Sequence, residues 1–189
     1  MSDYMDFDPD GDDVVSREVI EHNDPITDRS AARRIALQTL YEIDAVSHKT
    51  GFVLTHQTVR APDVRAVRKY LQELVTGTVE NREKIDAILQ SYAPDFPIDQ
   101  VAVVDRNILR IALYELGIGE RTPIGVAIDE AIELAKLFGA DNTPRFINGV
   151  LGTVADNIEE VRAYLSGEQK SVPQHEDDRK SKDLPQTSD

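Results

Sequence analysis

The chain has 189 residues, 40% of them apolar, with 21 basic and 35 acidic side chains that give a formal net charge of −14 at pH 7. That length fits one domain whose core needs neither disulfide nor structural metal, and the absence of Cys excludes thiolate–zinc sites, cysteine nucleophiles and Cys-ligated iron–sulfur clusters. No apolar run approaches the roughly 18 residues of a membrane span, and the acidic start has no signal-peptide pattern, so a cytoplasmic location is expected.

Read as a whole-chain sum, the charge argues against a nucleic-acid partner, because phosphates need Lys and Arg. Its distribution changes that. Residues 1–28 hold ten acids and one base, Arg17, a net of −9. They show no sustained period and read as a disordered acidic tail. Asp6, Asp8, Asp10, Gly11 and Asp12 match the opening of a calcium loop, but Arg17 stands where the loop needs a bidentate Glu. No metal site is therefore expected.

The first helix is predicted from Asp28 to Val46, capped by Asp28 or Ser30, with Ala32, Ile35, Ala36, Thr39, Leu40 and Ile43 on one face. Residues 47–61 read as a linker. Pro62 and Asp63 open a second helix carrying Val64, Val67, Leu71, Leu74 and Val75. Gly77 is expected to bend or break it. The pattern resumes through Val79, Ile85, Ile88 and Leu89 and ends at the APDFP turn, 93–97. A helix is predicted over 98–116, with Val101, Val104, Ile108, Ile111 and Ala112 inward. Thr122-Pro123 and Thr143-Pro144 each give an N-cap followed by a first-turn proline. The first starts a helix through Ile124, Ala127, Ile128, Ala131, Leu134, Ala135 and Phe138, stopped by Gly139. The second starts a continuous stripe from Ile147 to Leu165. Gly149 and Gly152 on this last segment suggest close approach of another helix. Residues 167–189 read as a second disordered tail, net −2. The body, 29–166, is then nearly balanced at −3. Helices joined by short turns, without strands, predict an all-α domain.

Little in the chain suggests an enzyme. His22, His48, His56 and His175 fall in the tails or the linker, and no metal-binding, nucleotide-binding or triad motif is present. Asp129 and Glu133 share one helix face, which fits a partner's basic residues better than acid–base chemistry. The start of the first helix is more informative. Arg29, Arg33 and Arg34 cluster there, with Gln38 and Tyr41 continuing the stripe from Arg34. Cations at a helix N-terminus oppose its dipole, so their placement suggests use. Guanidinium groups grip phosphates and a Tyr ring can stack on a base. A second candidate surface surrounds 138–151. There a helix start presents free N–H groups beside Arg145, and Phe146 lies off the apolar stripe, either as core or as a stacking platform.

The segments ARRIALQTLYEID (32–44), ILRIALYEL (108–116) and AIDEAIELAKLFGADNTPRFINGVLGTVA (127–155) resemble the bacterial transcription antitermination factor family NusB. The resemblance runs in order through about 29–165. It implies an all-helical bundle of about seven helices in two packed three-helix subdomains, without enzymatic activity or cofactor. It also implies binding of boxA-type RNA together with the ribosomal protein NusE, in the RNA polymerase antitermination complex that serves ribosomal RNA operons. On the matching residues the resemblance puts RNA contacts at Arg29, Arg33, Phe138 and Phe146 and places Tyr41 and Asp105 in regions used for RNA or partner contact; Arg34 and Arg145 join the expected RNA contacts, with Tyr41, from their own positions. Partner contacts are expected from Asp105, Asp129, Glu133 and Asn142. The chain departs from the family where Ser30 and Ala31 replace part of a denser Arg run, where Arg34 replaces a common acid, and in its longer tails. Fewer Arg residues imply weak RNA affinity without NusE. A NusB-like module detached from an rRNA methyltransferase and a protein lacking RNA binding are the alternatives. The antitermination factor itself is expected as a monomer or a homodimer.

Overall fold

The computed structural model describes residues 28–46, 65–119 and 122–174. The tail 1–27 with its calcium-loop pattern, the linker 47–61, Pro62 to Val64 and residues 175–189 lie outside it. Among the described residues there are seven helices and no strand: α1 (Asp28–Val46), α2 (Arg65–Glu80), α3 (Arg82–Tyr92), α4 (Val103–Gly117), α5 (Ile124–Phe138), α6 (Thr143–Asp156) and α7 (Ile158–Ser166). None of them is long and apolar enough to cross a membrane.

Helix α4 is the hub, packing against each of the other six. Its sequence explains why. Ile108, Leu109, Ile111, Ala112, Leu113 and Leu116 point in all directions and are all buried. A helix apolar on every side must be surrounded. Helices α1 and α2 pair with each other and cover one flank of α4, α5 pairs with α6, and α3, α6 and α7 meet around the remainder. The two groups of helices thus share α4.

The predicted core positions of α1, α2, α3 and α6 are buried or pack against the core. Several boundaries differ. Helix α2 runs unbroken through Gly77, where an added Cβ would lie 2.1 Å from the Tyr114 ring. Gly77 is therefore a close-approach residue between α2 and α4, and the break falls at Asn81. Residues 98–100 form a turn, and α4 begins only at Val103. The stripe from Ile147 to Leu165 is interrupted at Asn157, whose side chain donates to the Thr153 carbonyl at 3.1 Å, separating α6 from α7. Neither threonine caps as predicted. Thr122 is buried and its hydroxyl donates to Glu115 at 2.8 Å, while Thr143 is the first residue of α6 and turns back toward Asp105. Gly167, at φ 89°, terminates α7 in the left-handed region. The packed chain continues past the expected boundary at 166. Val172 lies against the core, Pro173 is buried, and the Ser91 hydroxyl donates to the Pro173 carbonyl.

Two polar clusters join α1 to α4. In the first, Arg33 and Glu115, 2% and 3% exposed, form a two-pronged pair: Nε donates to Oε2 and Nη2 to Oε1, each at 2.8 Å. Arg33 also reaches Glu130 of α5 at 3.2 Å and donates to the Tyr70 hydroxyl of α2 at 2.9 Å, and Tyr70 in turn donates to Glu115. Burial works to lower the Arg33 pKa, but the hydrogen bonds and charge of Glu115, with Tyr70 and Glu130, hold it above its ordinary value. Burial, followed by the Glu115 charge and hydrogen bond, likewise pushes Tyr70 up. In the second cluster, Arg110 grips Asp86 of α3 with two bonds of 2.7 Å and Asp44 of α1 at 2.8 Å, with Arg82 and Arg106 also on Asp44. Removing one member of a buried pair strands the other charge. Glu115→Ala is expected to lower stability by about 3–5 kcal/mol in urea unfolding. The double substitution Arg33→Met with Glu115→Leu should recover part of that loss, because both buried charges are removed together and Glu130, 23% exposed, keeps solvent and the Ser30 hydroxyl.

Candidate nucleic-acid interface

The Arg cluster of α1 divides on folding. Arg29 is exposed and sits over the Tyr70 ring at 5.3 Å, and Arg34 is half-exposed. Arg33 faces inward and is spent on Glu115 and Glu130, which corrects its assignment as an RNA contact. A guanidinium with both its edges engaged by carboxylates has nothing left for a phosphate. Ser30 donates to Glu130 at 2.7 Å and so ties α1 to α5. Tyr41, 48% exposed, lies further along the outer face of α1 with Gln38. The residues that sequence reading missed here are Tyr70 and Glu115. An acid inside the apolar run ILRIALYEL was the available signal, because a buried carboxylate requires a cation.

The second surface is a groove of about 480 Å³ between the 93–96 turn and α6. It brings together Asn142, Arg145 and Phe146 from the start of α6, with Tyr92 and Phe96 opposite and Gly149 along the helix. Phe146 is both things the sequence allowed. It packs against the core on one side, and its ring meets Phe96 edge to face with centroids 5.2 Å apart and planes at 61°. Phe96 is 53% exposed, a large apolar side chain left open by the rigid APDFP turn. An aromatic inside a proline-bounded turn was its only sequence signal. Gly149 and Gly152 do not receive a neighbouring helix: a Cβ built at either meets nothing within 4 Å. Gly149 instead leaves the groove wide.

A smaller hollow of about 240 Å³ adjoins the groove and shares Phe96, Phe146 and Asn142 with it. Its remaining wall is Val101, Ala102, Thr143 and Asp105, the last in the first turn of α4. The Thr143 hydroxyl accepts the Ala140 N–H at 3.0 Å and donates to the Asp105 carboxylate at 3.1–3.2 Å. Burial raises the Asp105 pKa, opposed by the Thr143 bond. Asp105 and Asn142, assigned to a partner, thus share one surface with Arg145 and Phe146, assigned to RNA.

Asp129 and Glu133 lie elsewhere, on the outer face of α5. Glu133 pairs with Lys136 at 2.7 Å, and exposed Val126 and Leu137 flank these acids. Phe138, 39% exposed, closes that helix. Helix α1 packs chiefly on α2 and α4, whereas the aromatic groove is built from α6 and the 93–96 turn, so the Arg patch and the groove belong to different elements. Among the described residues, no group of His, Asp and Glu is arranged to hold a metal.

Residues 30–156 match the NusB family. The chain belongs to that family. It is 46% identical over 128 residues to the transcription antitermination protein NusB of Chloroflexus aggregans, covering 67% of this chain and 85% of the relative. Against NusB of Bacillus pumilus it is 39% identical, covering 70% and 98%. Among solved structures it resembles T. maritima NusB, with a TM-score of 0.65, 31% identity, and 69% and 92% of the two chains covered. It also resembles a chain in a crystal structure of the antitermination factors NusB and NusE with double-stranded RNA, with a TM-score of 0.64, 25% identity, and 69% and 97% covered.

Two measurements check this geometry. Gly149→Ala should raise stability by about 0.5–1 kcal/mol in urea unfolding, because the helix gains propensity and nothing is displaced. Asp105 has a raised pKa when folded, so its contribution is fully present below the ordinary carboxylate pKa and is lost as pH rises through the folded value. Asp105→Asn should therefore gain stability relative to the native protein between pH 3 and pH 7, read from paired denaturation curves.

Proposed function

We propose that this NusB-family protein is a non-enzymatic, cytoplasmic transcription antitermination factor. It binds a boxA-type element of nascent ribosomal RNA together with the ribosomal protein NusE, and so joins the RNA polymerase antitermination complex. The family match over 30–156 carries the reading. The solved assembly of a 25% identical NusB with NusE and RNA supports both partners. The site residues are proposed accordingly. Arg29 and Arg34 contact phosphate, Phe96, Phe146 and Arg145 hold an unstacked stretch of RNA, and Tyr41 and Phe138 extend the two ends of the surface. The outer face of α5, with Asp129 and Glu133 among exposed Val126 and Leu137, receives the protein partner, whose edge reaches Asn142.

With Arg33 committed to the core, α1 offers two cations to RNA. Few phosphates are then neutralised, so the chain alone binds weakly and NusE completes the basic surface. Fluorescence anisotropy with labelled boxA-like RNA, with and without NusE, tests this. NusE should tighten binding, and absence of binding at low salt under both conditions would defeat the reading. Arg29→Glu and Arg34→Glu should each weaken binding across RNA sequences and reduce the log–log salt slope by about 1.

A further inference from the structure

We propose that the chain's own acidic segment, residues 1–27, docks on the basic end of the bundle formed by the starts of α1 and α2, where it competes with RNA phosphate. The inference rests on the RNA-binding reading above and adds an internal competitor to it. Helices α1 and α2 lie side by side and parallel. The guanidinium carbons of Arg29 and Arg33, at the start of α1, stand 5.3 and 5.5 Å from the ring of Tyr70, near the start of α2. At the other end Arg82, just past α2, meets Asp44 of α1 at 3.1 Å. The two helix starts therefore share one end of the molecule, which carries Arg29 and Arg34 from α1 with Arg65 and Lys69 from α2.

These cations are open to solvent, unlike many others of the body. Arg33, Arg82, Arg106 and Arg110 are taken up by carboxylates, and Arg162 by Glu159 and the Leu116 carbonyl. Arg29 and Arg65 are exposed and Arg34 is half-exposed. Lys69, 69% exposed, pairs with Glu73 at 3.7 Å, a surface contact that holds it weakly. Asp28 is the one acid in the first turn of either helix. An anion with several charges is what this end of the bundle lacks.

The segment joined to that end supplies one. The described chain starts at Asp28, one residue before Arg29, so residues 1–27 are attached at the patch itself. They hold nine acids against one base, Arg17. Tyr4 and Phe7 stand among the acids, so the segment offers anions and rings together, the two chemistries that single-stranded RNA offers. A covalently joined segment acts at an effective concentration on the order of millimolar. At that concentration carboxylate–guanidinium contacts too weak to hold a free peptide are enough to occupy the surface and to oppose phosphate there.

The test uses the full chain in dilute solution. Zero-length carbodiimide coupling with mass mapping should join Lys69 to a carboxylate within 1–27 of the same chain, and RNA with NusE should suppress that link. Asp3→Asn, Asp6→Asn, Asp8→Asn, Asp10→Asn, Asp12→Asn and Asp13→Asn together should tighten RNA binding about threefold or more at low salt, with the gain fading as salt rises. In a chain that also carries Arg65→Gln and Lys69→Gln the gain should shrink, because the segment has lost part of its seat. None of these side chains belongs to the described core, so the fold is kept. The proposal is overturned if no link to Lys69 forms or if links form only between two chains. It is also overturned if neutralising the six Asp leaves RNA affinity unchanged, or if the gain is undiminished without Arg65 and Lys69, which would make it general charge repulsion. Failure of every form to bind RNA, with the link present, would instead remove the functional reading and leave the docking standing.

Discussion

The pairing of Arg33 with Glu115 is the contact on which the arrangement of the bundle depends. Helix α4 is enclosed by six neighbours, yet it carries a carboxylate near its end and a guanidinium, Arg110, in its middle. Neither charge can be left alone in that environment, since desolvation costs several kcal/mol per ion. Both are answered from α1, by Arg33 and by Asp44. These pairs specify where α1 lies along α4 more sharply than aliphatic contacts could, because an apolar stripe can slide by a turn at modest cost and a two-pronged ion pair cannot. Tyr70, Glu130 and Asp86 extend the same constraint to α2, α5 and α3.

That constraint has a functional cost. A cation at the start of α1 would suit phosphate binding, but the one facing inward is committed to the fold. The exposed electrostatic surface of α1 is reduced to Arg29 and Arg34, in a helical body already slightly acidic. Recognition must then lean on shape, stacking and a second protein. The rest of the molecule is consistent with that division. The 93–96 turn and α6 hold two aromatic rings at a fixed angle beside one arginine, and α5 presents an outer face of mixed acids and apolar side chains. The rigid elements that carry these groups all pack on α4 or α6, so core and surface are built from the same helices.

Much of the fold was legible because burial imposes a period. Ala32, Ala36 and Leu40, or Ile147, Leu151 and Val154, recur at helical spacing for the single reason that one face meets the core. The period fails for α4, where there is no outer face, and this is why Leu109 and Leu113 escaped the predicted stripe. Caps were misjudged for a related reason. Thr122 and Thr143 have the residue type of a cap, but each donates its proton to a carboxylate, the buried Glu115 and the partly buried Asp105. Glycines were misread in both directions. Gly77 accepts a tyrosine ring from α4, and Gly149 accepts nothing from the fold.

By itself, the sequence determined the helical class, the near-neutral body between charged ends, the family, and the side-chain types available for RNA and partner contact. These follow from local pattern and from motifs that survive as strings. Only the tertiary structure decided which of those side chains are free. It buried Arg33, joined Asp105 to Phe146 across 41 positions of chain, and supplied Phe96 as the facing ring. The physical reason is that exposure and ion pairing are properties of what lies opposite a residue in space, and a one-dimensional period records only which side of its own helix it occupies.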